Sequence, residues 1–92
     1  MSQDNEEYVR THVGISSTSK IGKLIISVQE TDYSTVSFVI GRTGFPNVIC
    51  GNAKVGEAVL FETPDDGIVE VRFYHHPKRD EPVFRIARVA PA

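Results

Sequence analysis

The sequence predicts an all-β fold, a small antiparallel β-sandwich or β-barrel of six to seven short strands. Apolar residues alternate with polar ones along several stretches, which is typical of strands that bury one face. No apolar pattern repeats at helical spacing over three turns. Turn-forming residues separate the apolar runs at intervals of about 8–12 residues, as in sandwiches and barrels. Because the connections are short, we expect mostly antiparallel pairing.

The stretch Val55–Tyr74 is the best-specified element and predicts a β-hairpin. Its turn, Thr63–Gly67, contains a proline that presets φ and two aspartates that can bond the local backbone. Gly67 can adopt the positive φ that closes such a turn. The apolar faces of the two strands carry Val59 and Phe61 in the first strand and Val69, Val71 and Phe73 in the second.

The chain before this hairpin predicts a tail followed by four strands. We expect residues 1–7 to form a disordered acidic N-terminal tail and residues 8–92 to form a single all-β domain. The predicted strands are Tyr8–Val13, Lys23–Glu30, Ser34–Ile40 and Asn47–Cys50, with loops at Gly14–Gly22 and Gly41–Pro46.

The chain after the hairpin predicts an exposed connector and a final strand. The connector His75–Pro82 has prolines near both ends, which disfavour regular structure. In the final strand, Val83–Val89, alternation places Arg88 on the same face as Phe84 and Ile86. Either this arginine lies near an end of the core or the strand is bulged.

Composition limits the class of protein. The chain has 92 residues, enough for one domain, and a net charge of −2, which opposes a role in coating nucleic acid. A single cysteine, Cys50, excludes an internal disulfide framework and favours a reducing compartment. No apolar run approaches the length of a membrane span, and the N-terminus lacks the features of a signal peptide. We therefore expect a cytoplasmic protein that does not associate with membranes.

Charge is distributed unevenly and defines one candidate site. Met1–Glu70 contains five basic and ten acidic residues, whereas Val71–Ala92 contains five basic and two acidic residues. Small β-barrels bind single-stranded nucleic acid through basic grooves with aromatic platforms. The C-terminal basic patch therefore predicts binding of an anion or of single-stranded nucleic acid. Its candidate residues are His75, His76, Lys78, Arg79, Arg85 and Arg88.

Catalytic and metal-binding patterns are weak in this sequence. His75 and His76 are adjacent and would point to opposite faces of a strand, and neither C-x-x-C nor H-x-x-x-H spacing occurs. No base or oxyanion donor is recognisable for Cys50, which we expect to be a small buried thiol. Two adjacent aspartates, Asp65 and Asp66, lack a third ligand at calcium-loop spacing. We expect neither enzymatic activity nor a cofactor or metal.

Two short stretches resemble known families. The stretch Val39–Gly44 resembles the opening of a forkhead-associated domain, a resemblance that implies a phosphothreonine-binding role for Arg42. That family's later Ser-x-x-His motif and phosphate-loop asparagine do not follow at a matching distance. The stretch from Val55 to Tyr74 is similar to the closing hairpin of Gre-type transcription elongation factors. Their long N-terminal coiled coil is missing, and we transfer no functional residue.

These observations together favour a small non-catalytic protein-interaction module. Such a domain presents a sheet edge or a loop surface to a protein partner or to a second copy of itself. The alternative is the anion or single-stranded nucleic-acid binder described above.

Overall fold

The fold is an all-β sandwich of two antiparallel four-stranded sheets, as a computed structural model of residues 5–75 and 81–90 shows. The prediction of an all-β antiparallel fold is confirmed, and the sandwich is the correct alternative. The predicted count of six to seven strands is wrong, because the described residues form eight. The strands are β1 (Glu6–Arg10), β2 (Ser16–Thr18), β3 (Ile25–Thr31), β4 (Thr35–Arg42), β5 (Phe45–Lys54), β6 (Ala58–Thr63), β7 (Gly67–His75) and β8 (Val83–Ala90).

The chain builds the two sheets by crossing between them twice. Sheet A has the order β1-β8-β7-β6 and sheet B the order β2-β3-β4-β5. The β1–β2 connection leads from sheet A to sheet B, and the β5–β6 connection leads back. One side of the sandwich is therefore bounded by the edge strands β1 and β2, and the other side by β5 and β6.

The core lies between the inner faces of the sheets. Aromatic rings join the two layers: Phe38 of β4 lies 4.6 Å from Phe84 of β8, centroid to centroid, and Phe84 lies 5.7 Å from Phe73. These rings are fully buried, and burial of large apolar side chains is the main favourable contribution to folding. Other fully buried apolar residues are Leu24, Ile26, Val28, Val36, Ile40, Val69, Val71 and Ile86.

Several boundaries differ from the predicted ones. The predicted loop Gly14–Gly22 contains β2, which pairs with β3. The predicted strand Asn47–Cys50 is the centre of the longer β5, because glycine and proline positions are accommodated at irregularities of the β4–β5 pairing. Strand β1 begins at Glu6, two residues before the predicted start.

The predicted central hairpin is confirmed. Strands β6 and β7 pair in register from Ala58↔Arg72 to Thr63↔Gly67. Gly67 adopts φ of 71°, the left-handed conformation that a glycine allows. Thr63 is buried, and its hydroxyl donates to the Gly67 carbonyl at 2.9 Å and accepts from the Asp66 N–H at 3.0 Å. These two bonds fix the turn.

Both alternatives considered for Arg88 occur. Arg88 pairs with the buried Val69, so it lies on the core face at the end of the sandwich. The next pair is Ile68↔Ala90, which leaves Val89 as an extra residue in β8. This bulge exposes Val89 and ends the regular alternation.

The side bounded by β1 and β2 is closed by polar contacts. The Glu7 carboxylate accepts from the backbone N–H groups of Lys20 at 2.8 Å and Ile21 at 3.2 Å. Near the middle of this side, the Ser17 hydroxyl donates to the Arg10 carbonyl at 3.0 Å. These side-chain bonds take the place of strand pairing between the two sheets.

Candidate functional site

The predicted basic patch is only partly within the described residues. His75 ends β7 and is exposed, Arg85 and Arg88 lie on β8, and His76, Lys78 and Arg79 lie outside the described residues. Arg85 and Arg88 are three positions apart on a strand, so their side chains leave opposite faces of sheet A. The structure thus does not bring these two arginines together.

Arg85 belongs to an ion-pair network on the outer face of sheet A. Its Nε donates to Glu6 Oε1 at 2.7 Å, and its Nη1 lies 3.6 Å from Glu70 Oε1. The hydrogen bond to Glu6 raises the pKa of Arg85. Glu70 also accepts from Arg72 at 2.9 Å. The positive charge of Arg85 is therefore neutralised by neighbouring carboxylates.

Arg88 belongs to a separate polar cluster at one end of the sandwich. Its Nη2 and Nε donate to Asp66 Oδ1 at 2.8 and 3.0 Å. The other Asp66 oxygen accepts from the Gly22 N–H at 2.7 Å. The bond from Gly22, followed by those from Arg88, lowers the pKa of the Asp66 carboxyl despite an opposing effect of burial. This cluster holds the β6–β7 turn against β8 and the loop before β3.

Arg42, the residue carrying the forkhead-associated resemblance, joins the same end of the sandwich. Its guanidinium donates to the Gly22 carbonyl and to Asp65 Oδ2, the latter at 3.1 Å. Its side chain is only 12% exposed. Structural contacts therefore occupy the guanidinium of Arg42, which is not an exposed charge.

Neither a metal-binding cluster nor a membrane-spanning helix occurs in residues 5–75 and 81–90. No group of three or more His, Cys, Asp or Glu side chains is arranged to hold a metal ion there. Within the same ranges, no helix has the length and apolar character needed to cross a membrane.

The side bounded by β5 and β6 differs from the rest of the surface, and we call it the open side. Among the described residues, β5 pairs only with β4, and β6 only with β7. Each strand therefore has one row of backbone groups unused by the sandwich. These edge strands and their connection also carry exposed large apolar side chains: Ile49 is 79% exposed, Leu60 is 63% exposed, and Phe45 and Val55 are exposed as well.

A groove runs along the open side between the two edge strands. One depression, of about 250 Å³, lies between Phe45–Val48 of β5 and Leu60–Glu62 of β6. A second, of about 330 Å³, lies between Cys50–Ala53 and Glu57–Val59 and reaches Phe38. The partly buried Val48, Cys50 and Val59 pack against the core at its floor. The groove is thus an opening between the two layers with apolar side chains at its floor.

The charge pattern of β5 is unusual for an exposed edge. Edge strands of soluble proteins commonly carry charged residues that block pairing with other chains. Phe45–Ala53 contains none over nine residues. The uncharged surface continues across the outer face of sheet B, where register aligns Ser16, Ser27, Val39 and Ile49 in one row. The outer face of sheet A, by contrast, carries the network of Arg85.

Cys50 lies in the groove and is half-buried, so the expected burial of its thiol is only partial. Burial raises the pKa of the Cys50 thiol. The thiolate is the nucleophilic form of cysteine, and a raised pKa lowers its population at neutral pH. This geometry fits a packing role for Cys50.

Fold and site define an antiparallel β-sandwich with one closed and one open side. Comparisons of the chain with protein-family models, curated proteins and solved structures gave no match. The two short resemblances noted above gain no support from them.

Sequence reasoning did not single out Ile49, Leu60 or Phe45 as site residues. Alternation alone places an apolar residue on one face or the other of a strand, and edge position depends on the order of strands in the sheet. One signal was present in the sequence: the nine-residue stretch Phe45–Ala53 contains no charge although it has strand propensity.

Proposed function

We propose that this chain is a non-catalytic protein-interaction module that binds an extended protein segment along its open side. A single observation carries the proposal: among the described residues, the edge of β5 is unpaired, carries no charge from Phe45 to Ala53, and borders a groove with apolar side chains at its floor. An added strand would bond the unused backbone groups of β5, and its alternate side chains would enter the groove.

The open side is also chemically suited to this mode of binding. Backbone bonds supply affinity in strand addition, and apolar depressions supply specificity. Pro46 has no N–H group, and Asn52 adopts φ of 53° at an irregularity of the β4–β5 pairing. These two positions limit regular pairing to Asn47–Gly51, so the bound segment is short.

Binding of a protein segment along the open side is favoured over anion binding at the basic patch, because both arginines of β8 already contact carboxylates. Arg85 and Arg88 are bonded to carboxylates at opposite faces of sheet A. Binding a phosphate there would break these bonds before forming new ones. The open side requires no such exchange.

Selection from a displayed library of random peptides tests the proposal. The wild-type protein is the target, and Ile49→Lys is the counter-selection target, since an added charge disfavours pairing at an edge. We expect enriched uncharged peptides that shift the backbone amide NMR signals of β5 and β6. Enrichment of nothing, or shifts confined to other strands, would overturn the proposal.

A further inference from the structure

We infer that the occupant of the open side is a second copy of this chain, paired antiparallel through β5 about a two-fold axis at Ile49. This inference rests on the proposed function and names its partner. The resulting assembly has one continuous eight-stranded sheet formed by the two copies of sheet B.

The positions that interrupt β5 are symmetric about Ile49. Pro46 and Asn52 each lie three residues from Ile49 along the chain. In an antiparallel pair centred on Ile49, Pro46 of one copy therefore faces Asn52 of the other. Pro46, which has no N–H group, and Asn52, which lies at the irregularity, therefore face each other. Regular pairing ends at equivalent positions in both copies.

The uncharged run of β5 is symmetric about the same residue. Within β5 the uncharged residues extend from Phe45 to Ala53, each four residues from Ile49, and the chain before β5 is uncharged back to Thr43. The first charge beyond it, Lys54, would lie opposite Gly44 of the second copy. Like charges directly opposite one another destabilise a strand pair. A two-fold axis at Ile49 avoids this repulsion.

The side chain of Ile49 gains a partner in this arrangement. Ile49 projects from the outer face of sheet B and is 79% exposed. At the axis, two Ile49 side chains would face each other at a Cβ separation of about 4.5–5.5 Å. The row Ser16, Ser27, Val39 and Ile49 would then continue unbroken into the second copy.

The contact is small, so the dimer is reversible. Regular pairing covers Asn47–Gly51, five residues in each copy. Stable interfaces bury roughly 1,200–2,000 Å² of surface, more than a short edge contact provides. We therefore expect a monomer–dimer equilibrium that moves toward monomer on dilution.

Disulfide trapping tests the register. In a Cys50→Ser background, Ile49→Cys places two thiols at the axis, where Cα atoms of antiparallel partners lie about 4.5–5.5 Å apart. A disulfide needs about 4.4–6.8 Å, so oxidised glutathione should convert most of the protein to a covalent dimer that dithiothreitol reverses. The matched control is Ser16→Cys in the same background, on the same outer face but at the opposite edge of sheet B, about 14 Å from β5. This control should form no covalent dimer.

Sedimentation velocity over a concentration series tests the dimer without a covalent bond. Wild-type protein should sediment as a dimer at high concentration, and Ile49→Lys as a monomer throughout. Thr18→Lys, which adds the same charge at an exposed position of β2, should keep the dimer. Equal cross-linking of the Ile49→Cys and Ser16→Cys proteins, or a wild-type monomer at every concentration, would overturn the inference. The proposed function would then still be decided by the peptide selection.

Discussion

The Asp66 cluster gives the sharpest prediction for stability, because one carboxylate joins three parts of the chain. Asp66 accepts from Gly22 N–H at 2.7 Å and from two Arg88 nitrogens at 2.8 and 3.0 Å. Its side chain is only 15% exposed. Asp66→Ala removes these bonds and leaves the Gly22 N–H and the Arg88 guanidinium without that acceptor.

The expected loss of unfolding free energy follows from these contacts. Removing a partner from a buried charge-assisted hydrogen bond costs about 1.5–3 kcal/mol, and bonds of one carboxylate are not additive. We expect Asp66→Ala to lower the unfolding free energy by about 2–3 kcal/mol. For a domain of this size, that corresponds to a fall in Tm of about 10–20 °C. Urea denaturation followed by circular dichroism measures the loss of unfolding free energy.

Asp65→Ala is the matched control. The Asp65 carboxylate is 56% exposed and contacts Lys23 at 3.8 Å and Arg42 at 3.1 Å. Exposed ion pairs contribute about 0–1 kcal/mol, so Asp65→Ala should lower the unfolding free energy by no more than that amount. If the two variants lose equal unfolding free energy, or Asp66→Ala loses less than about 1 kcal/mol, the conclusion that the Asp66 carboxylate joins three parts of the chain is refuted.

The cluster also predicts a dependence on pH. Because the pKa of Asp66 is lowered in the folded protein, the unfolded chain binds more protons between the folded and unfolded pKa values. The contribution of Asp66 is therefore fully present above its unfolded pKa of about 3.9 and is lost as pH falls through its folded pKa. The stability difference between wild-type protein and Asp66→Ala should shrink in acid. A difference that stays constant down to the lowest pH at which the protein is folded would contradict the lowered pKa.

Three further predictions concern backbone, core and charge. Gly22→Ala should lower the unfolding free energy measured by urea denaturation by about 2 kcal/mol, because φ is +77° and the new Cβ would lie 3.3 Å from three side-chain atoms. The control Gly14→Ala, in open space at φ +83°, should lower it by about 1 kcal/mol. Phe84→Ala should lose about 3–5 kcal/mol by the same assay because it opens a cavity between the sheets, and a loss below about 1 kcal/mol would contradict its central position. Titration with single-stranded oligonucleotides at physiological salt should leave the amide NMR signals of Arg85 and Arg88 unchanged; salt-sensitive shifts there would favour the basic patch.

The hairpin of β6 and β7 was predictable because its specification is local. The turn from Thr63 to Gly67 combines a proline, two aspartates and a glycine, and the flanking alternation matches the buried face observed. Such signals act within a few residues and need no knowledge of the rest of the fold. The all-β class was predictable for the same reason.

Other parts of the fold depend on tertiary contacts. Strand β2 is three residues of Ser and Thr whose pairing with β3 has no local signal. Strand β5 extends through glycine and proline positions because its pairing with β4 absorbs extra residues. The bonds of Glu7 and Arg42 join distant segments that the sequence does not place together.

The candidate site was predictable only in part. The basic patch follows from counting charges along the chain, but counting does not reveal that Arg85 and Arg88 have carboxylate partners on opposite faces. The general expectation of a sheet edge that meets another chain follows from the small β-domain itself. Which strand provides that edge depends on the order β2-β3-β4-β5, which the sequence left open.

A dilution series of backbone amide NMR spectra tests the central claim most directly, namely that β5 is where this protein meets another chain. We predict that signals of Asn47–Gly51 shift with protein concentration, that line widths narrow on dilution, and that both effects vanish in Ile49→Lys. Spectra that stay the same at every concentration, or shifts confined to strands other than β5 and β6, would contradict the account.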